Sequence, residues 1–239
     1  MSLNLQKRAV VDLRKDVQAA IANKGLYGQQ ANVVIVIDRS GSMDELYRTG
    51  QVQMAADRTL ALAAEFDDDG QVDVLAFHNR SFDCGKMDMR NHASFIRDQI
   101  ENKIGAAGTS YAPVMKVILD RYGNPKASGG FLGMGASSGK AKLPTYVLFL
   151  TDGDNDDHAA AEALVRQSRG HAIFWQFVGL GTASFNFLRR LDDMKGPGLD
   201  NADFFPFDGS PMTDEDLYKK LLNEFPAWVK AARKEGLLA

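Results

Sequence analysis

Residues Val33-Val34-Ile35-Val36-Ile37 form an unbroken β-branched run. A strand with one wet face alternates apolar and polar residues, so a run without a polar position predicts a strand covered on both faces. Tyr146–Leu150 repeats the pattern, and further strands are predicted at 72–77, 172–178 and 203–207. Between them lie segments with apolar residues at helical spacing: 5–24, 50–66, 91–102, 113–122, 156–169, 185–191 and 213–233. Residues 81–88 read as a short edge strand returning antiparallel after a turn at Asn79-Arg80. Strands alternating with helices predict an α/β fold with a mostly parallel sheet covered by helices.

The 239 residues are expected to form a single domain. Residues 1–31 supply an N-terminal helix and lead-in, and residues 32–233 the core. Residues 123–142 hold six of the 22 glycines and three serines, and read as a flexible excursion. Twenty-eight basic against 31 acidic residues leave a net charge of −3, which argues against nucleic acid or a membrane surface as partner. The lone cysteine, Cys84, forbids an intrachain disulfide and fits a reducing compartment. Without an N-terminal apolar run to direct export or an apolar stretch long enough to span a bilayer, a cytoplasmic protein is expected.

In open α/β sheets, ligands sit beyond the carboxyl ends of the strands. Beyond the first strand stands Asp38-Arg39-Ser40-Gly41-Ser42; beyond the Tyr146–Leu150 run stands Thr151-Asp152-Gly153; Thr109 lies in a glycine-flanked loop before a helix. Asp38, Ser40, Ser42, Thr109 and Asp152 offer oxygen and neither nitrogen nor sulfur. Such a donor set suits a hard cation, Mg²⁺ or Mn²⁺, with Ca²⁺ also admissible, and not zinc.

These three segments resemble the metal-ion-dependent adhesion site of von Willebrand factor type A domains. The resemblance runs from Asn32 to about Arg233. Within that superfamily Ile173–Gly179, Leu191-Asp192-Asp193-Met194, Asp200–Phe205 and Leu221–Trp228 look most like the bacterial tellurium-resistance TerF type, with copine-type domains next. The resemblance implies a doubly wound, Rossmann-like, mostly parallel six-stranded sheet of order 3-2-1-4-5-6 with one antiparallel edge strand and helices on both faces. It further implies that Ser40, Ser42 and often Thr109 bind the cation directly, and Asp38 and Asp152 directly or through water. A carboxylate from a partner protein would complete the coordination. The expected function is a metal-dependent protein-binding module in tellurium resistance or general stress response; the alternative is a metal-dependent hydrolase or phosphatase using the same cation.

Other motifs carry less. Gly135–Lys140 departs from a phosphate-binding loop, with Met134 and Ala141 at decisive positions. Asp152–Asp157 opens like an EF-hand loop but has Asp157 and Ala163 where that loop needs Gly and Glu; Asp154 and Asp156 are expected to cap the following helix. Asp38 lacks the second aspartate of an aspartyl phosphatase, Ser40 standing in its place. Cys84 reads as a small buried hydrophobe, and His78 as a surface or edge histidine. With no general base or nucleophile constellation in the spacing, no catalytic residue is assigned.

Overall fold

The computed structural model describes residues 3–67, 69–123 and 143–239. Except for Gly123, the glycine-rich excursion and the Gly135–Lys140 motif lie outside them.

The six strands are β1 (Asn32–Asp38), β2 (Val72–Phe77), β3 (Ser81–Met87), β4 (Thr145–Thr151), β5 (Ile173–Leu180) and β6 (Ala202–Phe207). They form one sheet of order β3-β2-β1-β4-β5-β6, as the resemblance implied. Four pairings are parallel and β2–β3 is antiparallel. A bulge breaks the β2–β3 register, with Val74 opposite Gly85 and Leu75 opposite Asp83. Cys84 is the extra residue, and Gly85 takes φ +87°, a region costly for other residues.

β1 is central, and its β-branched residues serve two cores. Val34 and Val36 join the core cluster that includes Val114 and Ile118 of α5 (Ala112–Tyr122). Val33, Ile35 and Ile37 join the opposite cluster, which includes Leu60 of α3 (Gln51–Phe66). Burial on both faces is the physical reason for the unbroken apolar run. Helix α1 (Leu3–Asn23) packs on α3 and on α8 (Asp214–Leu221), burying Val17, Ala20 and Ile21. Among the described residues no helix is long and apolar enough to cross a membrane.

Beyond β1, where no element was predicted, a 3₁₀ turn at Gly41–Met43 leads into a short α2 (Asp44–Arg48). Two helical expectations need correction. The helix expected at 91–102 is α-helical (α4, His92–Phe95) and then π-helical at Ile96–Glu101. The final helix is two: α8 ends at Leu221, and α9 runs Phe225–Lys234. Pro226 causes the break, since it has no N–H to donate to Leu222 and fits only the first turn of a new helix. Thr213 caps α8 as its sequence suggests, accepting from Asp216 N at 3.2 Å while its hydroxyl donates to Asp216 Oδ2 at 2.8 Å.

Candidate metal centre

Parallel pairing puts the ends of β1 and β4 side by side, Ile37 opposite Leu150. The two chains therefore leave the sheet together, at Asp38 and Asp152. Asp38 is buried, and two donors hold its carboxylate: Ser40 N–H reaches Oδ1 at 2.7 Å and the Thr151 hydroxyl reaches Oδ2 at 2.6 Å. Ser40 Oγ lies 3.1 Å from Ser42 Oγ, and the Ser42 hydroxyl donates to Asp152 Oδ1 at 2.8 Å. Four of the five expected residues thus form one line of oxygens running from a buried to an exposed end.

Thr109 is placed differently. Its loop is fastened on both sides: Ala107 bridges to Ser40, Ser110 N–H donates to the His78 carbonyl, and Asp156 N–H donates to the Thr109 carbonyl. Among the described residues its hydroxyl makes no hydrogen bond, to the other four or to anything else. The loop adjoins the oxygen line while the side chain stays unengaged.

Charge at the site is uncompensated. Burial pushes the Asp38 carboxyl up to about 6, against the lowering effect of its hydrogen bonds from Thr151 and Ser40; the Asp152 charge adds to the rise. Asp152 is raised too, again chiefly by burial and against the Ser42 hydrogen bond. Arg39 turns away, donating to the Ile104 carbonyl and to Asp44. Among the described residues no lysine or arginine bonds to either carboxylate. Two carboxylates, two or three hydroxyls and no opposing cation fit a divalent hard cation.

Several residues that build the site escaped sequence reasoning. Thr151 orients Asp38. The Tyr111 hydroxyl donates to the Gly153 carbonyl at 2.7 Å and lies 3.2 Å from Thr151 Oγ1, tying α5 to the β4 loop. Tyr47 donates to the Asp38 carbonyl. The acidic run after Asp152 is used otherwise than expected. Asp154 engages His158, and Asp157 reaches across to cap α5, its oxygens accepting from Tyr111 N at 2.9 Å and Ala112 N at 2.8 Å. Helix α6 (His158–Ser168) accordingly has no side-chain cap from Asp154 or Asp156. His78 is buried, edge-on to Phe82, and not a surface histidine. Burial pushes the half-buried Cys84 thiol up to about 11, which suits an inert packing residue. A second acidic group, Asp192, Asp203 and Glu224, lies near the start of β6, away from the strand ends that carry the oxygen line.

The family model for the von Willebrand factor type A domain found at the C terminus of TerF matches residues 30–238. The chain belongs to this TerF-like family. It is 31% identical to the uncharacterized protein YcbR of Bacillus subtilis (strain 168), over 96% of this chain and 90% of that protein. Copine-B of Dictyostelium discoideum is 27% identical over 70% of this chain, which spans 33% of copine-B. Two solved structures share the fold at low identity. Proximal thread matrix protein 1 of the mussel byssus gives a TM-score of 0.55 at 16% identity, covering 81% of this chain and 47% of that one. The manganese-loaded TRAP protein of Plasmodium vivax gives 0.53 at 13%, covering 83% and 74%. A von Willebrand factor type A domain is a protein-interaction module, often a metal-dependent one.

Proposed function

We propose that this protein binds a partner through a divalent cation, Mg²⁺ or Mn²⁺, held by Asp38, Ser40, Ser42 and Asp152 with Thr109 beside them. The observation that carries the reading is the Asp38–Ser40–Ser42–Asp152 oxygen line, with no protein cation to balance its two carboxylates. Neutral hydroxyls leave the ion with residual positive charge, and that charge attracts an acidic side chain of the partner. The chain's own residues hold the ion and fix its loops: Thr151 orients Asp38, while Tyr111 and Asp157 keep the Thr109 loop against the β4 loop.

We favour binding over hydrolysis because, among the described residues, no histidine hydrogen-bonds to the oxygen line; His158, on the acidic run, pairs instead with Asp154 and stacks on Phe187 at 4.2 Å between ring centroids. A cytoplasmic location, supported by the single free cysteine, and a place in tellurium resistance or general stress response, supported by the TerF-like family, complete the proposal. The test is thermal melting under titration with Mg²⁺ or Mn²⁺. An ion that binds the folded state raises the melting temperature, and Asp38→Ala should abolish the rise. An unchanged curve for the intact protein at millimolar metal refutes the site. Turnover of p-nitrophenyl phosphate with metal, lost in Asp38→Ala, would favour the hydrolase.

A further inference from the structure

Beside the oxygen line lies a cleft lined by His78, Arg80, Phe82, Lys103 and the Gly105-Ala106-Ala107 segment, with Asn79 at its rim. It contains no carboxylate. Among the described residues neither Arg80 nor Lys103 forms an ion pair; Lys103 Nζ donates to the neutral Gln99 side chain. The positive field is felt within the cleft, where Arg80 and Arg39 help burial to lower the His78 pKa.

The cleft is joined to the candidate metal centre by backbone. Ala107, in its wall, bridges to Ser40, and Thr109 follows two residues later. The His78 carbonyl accepts from Ser110 N–H at 2.9 Å. Its cation is held in place: His78 N–H donates to the Arg80 carbonyl at 3.0 Å, Arg80 N–H donates to His78 Nδ1 at 3.3 Å, and the guanidinium sits 5.2 Å from the Phe82 ring centroid. A guanidinium already stacked on an aromatic ring loses less freedom when it meets an anion. The short side chains at 105–107 leave room above the cleft floor.

We infer that the His78–Arg80–Lys103 cleft is a second anion subsite for the same partner, so that the partner segment carries two acidic side chains, one for the metal centre and one for this cleft. The inference rests on the metal-dependent binding proposed above. A nucleic acid fits less well, because two free cations do not make a stripe that tracks a phosphate backbone.

Synthetic labelled peptides test this by fluorescence anisotropy at fixed Mg²⁺ or Mn²⁺. One series carries an aspartate followed by a glutamate or a phosphoserine after one to four glycines; its controls carry glutamine at the second position. At the best spacing the two-anion peptide should bind about fivefold tighter than its glutamine control, the size expected of one or two exposed ion pairs. The gain should shrink with salt, and whether glutamate or phosphoserine gives more of it identifies the anion. Arg80→Gln with Lys103→Gln should erase the gain while leaving the control peptide's affinity and the metal-induced melting shift unchanged. Arg80→Glu with Lys103→Glu should push the two-anion peptide below its control. A gain that survives both double variants overturns the subsite, as does the absence of any gain while control peptides still bind with metal. If no peptide binds and metal leaves the melting curve unmoved, the metal reading itself falls, and the subsite with it.

Discussion

Asp157→Ala should disturb both the stability of the fold and the metal centre. Asp157 caps α5 from outside that helix, its two oxygens accepting from Tyr111 N and Ala112 N, and it also accepts from the Asn155 amide at 2.6 Å. Losing an N-cap costs about 0.5–2 kcal/mol, and a hydrogen bond to a charged group is worth about 1.5–3 kcal/mol. These figures describe overlapping contacts, and water reaches the half-buried site, so about 2–3 kcal/mol is expected. For a chain of this size that is a fall of about 5–10 °C in melting temperature. Asp157→Asn keeps one acceptor and should fall between wild type and alanine. Because Tyr111 lies two residues beyond Thr109 and bonds the Gly153 carbonyl, freeing the start of α5 should also shrink the metal-induced melting shift. Scanning fluorimetry with and without Mn²⁺ measures both effects. A fall under about 2 °C, or an asparagine variant as damaged as alanine, refutes the capping argument.

Thr109→Ala should melt like wild type yet capture partner less well with metal, while Val36→Ala, which empties buried volume, should lose about 1–3 kcal/mol and keep metal-dependent capture. The reverse pattern in paired melting and capture assays would remove Thr109 from the recognition surface. Gly179→Ala would set a methyl 2.7–2.8 Å from the buried Phe185 ring, and chemical denaturation should show a loss of about 1–3 kcal/mol. Burial, with the charges of Asp203, Glu224, Asp193 and Asp200, pushes the Asp192 carboxyl up to about 7. The folded protein therefore holds a proton that the unfolded chain releases near its ordinary value of about 4, and stability falls as pH rises between them. Asp192→Asn should flatten that decline in urea titrations at pH 5 and pH 8; an unaltered slope would show that Asp192 is not its source.

The β-branched run at 33–37 determined its own burial and, with the helical periods around it, the α/β class. Strand register there does not follow from residue type, because a one-residue slip of an all-apolar strand covered on both faces exchanges one apolar face for another. The oxygen donors were legible because Asp38 and Asp152 each stand at the end of a buried strand, and parallel pairing brings such positions together once the two strands are neighbours. The order of the strands came from the family resemblance and not from periodicity, which says nothing about neighbours. Tertiary structure decided what each acid of the 152–157 run does, since Asp154, Asp156 and Asp157 are chemically alike and differ only in what lies opposite them. It also decided that Thr151 and Tyr111 serve the site, because they meet Asp38 and Gly153 across 113 and 42 residues of chain. The cationic cleft arises likewise, from a turn at 78–80 and a loop at 103–107 brought together as Ser40 bridges to Ala107 and Ser110 bonds the His78 carbonyl. Local sequence fixes which backbone a segment prefers; which side chains then face one another depends on the distances that the folded chain closes.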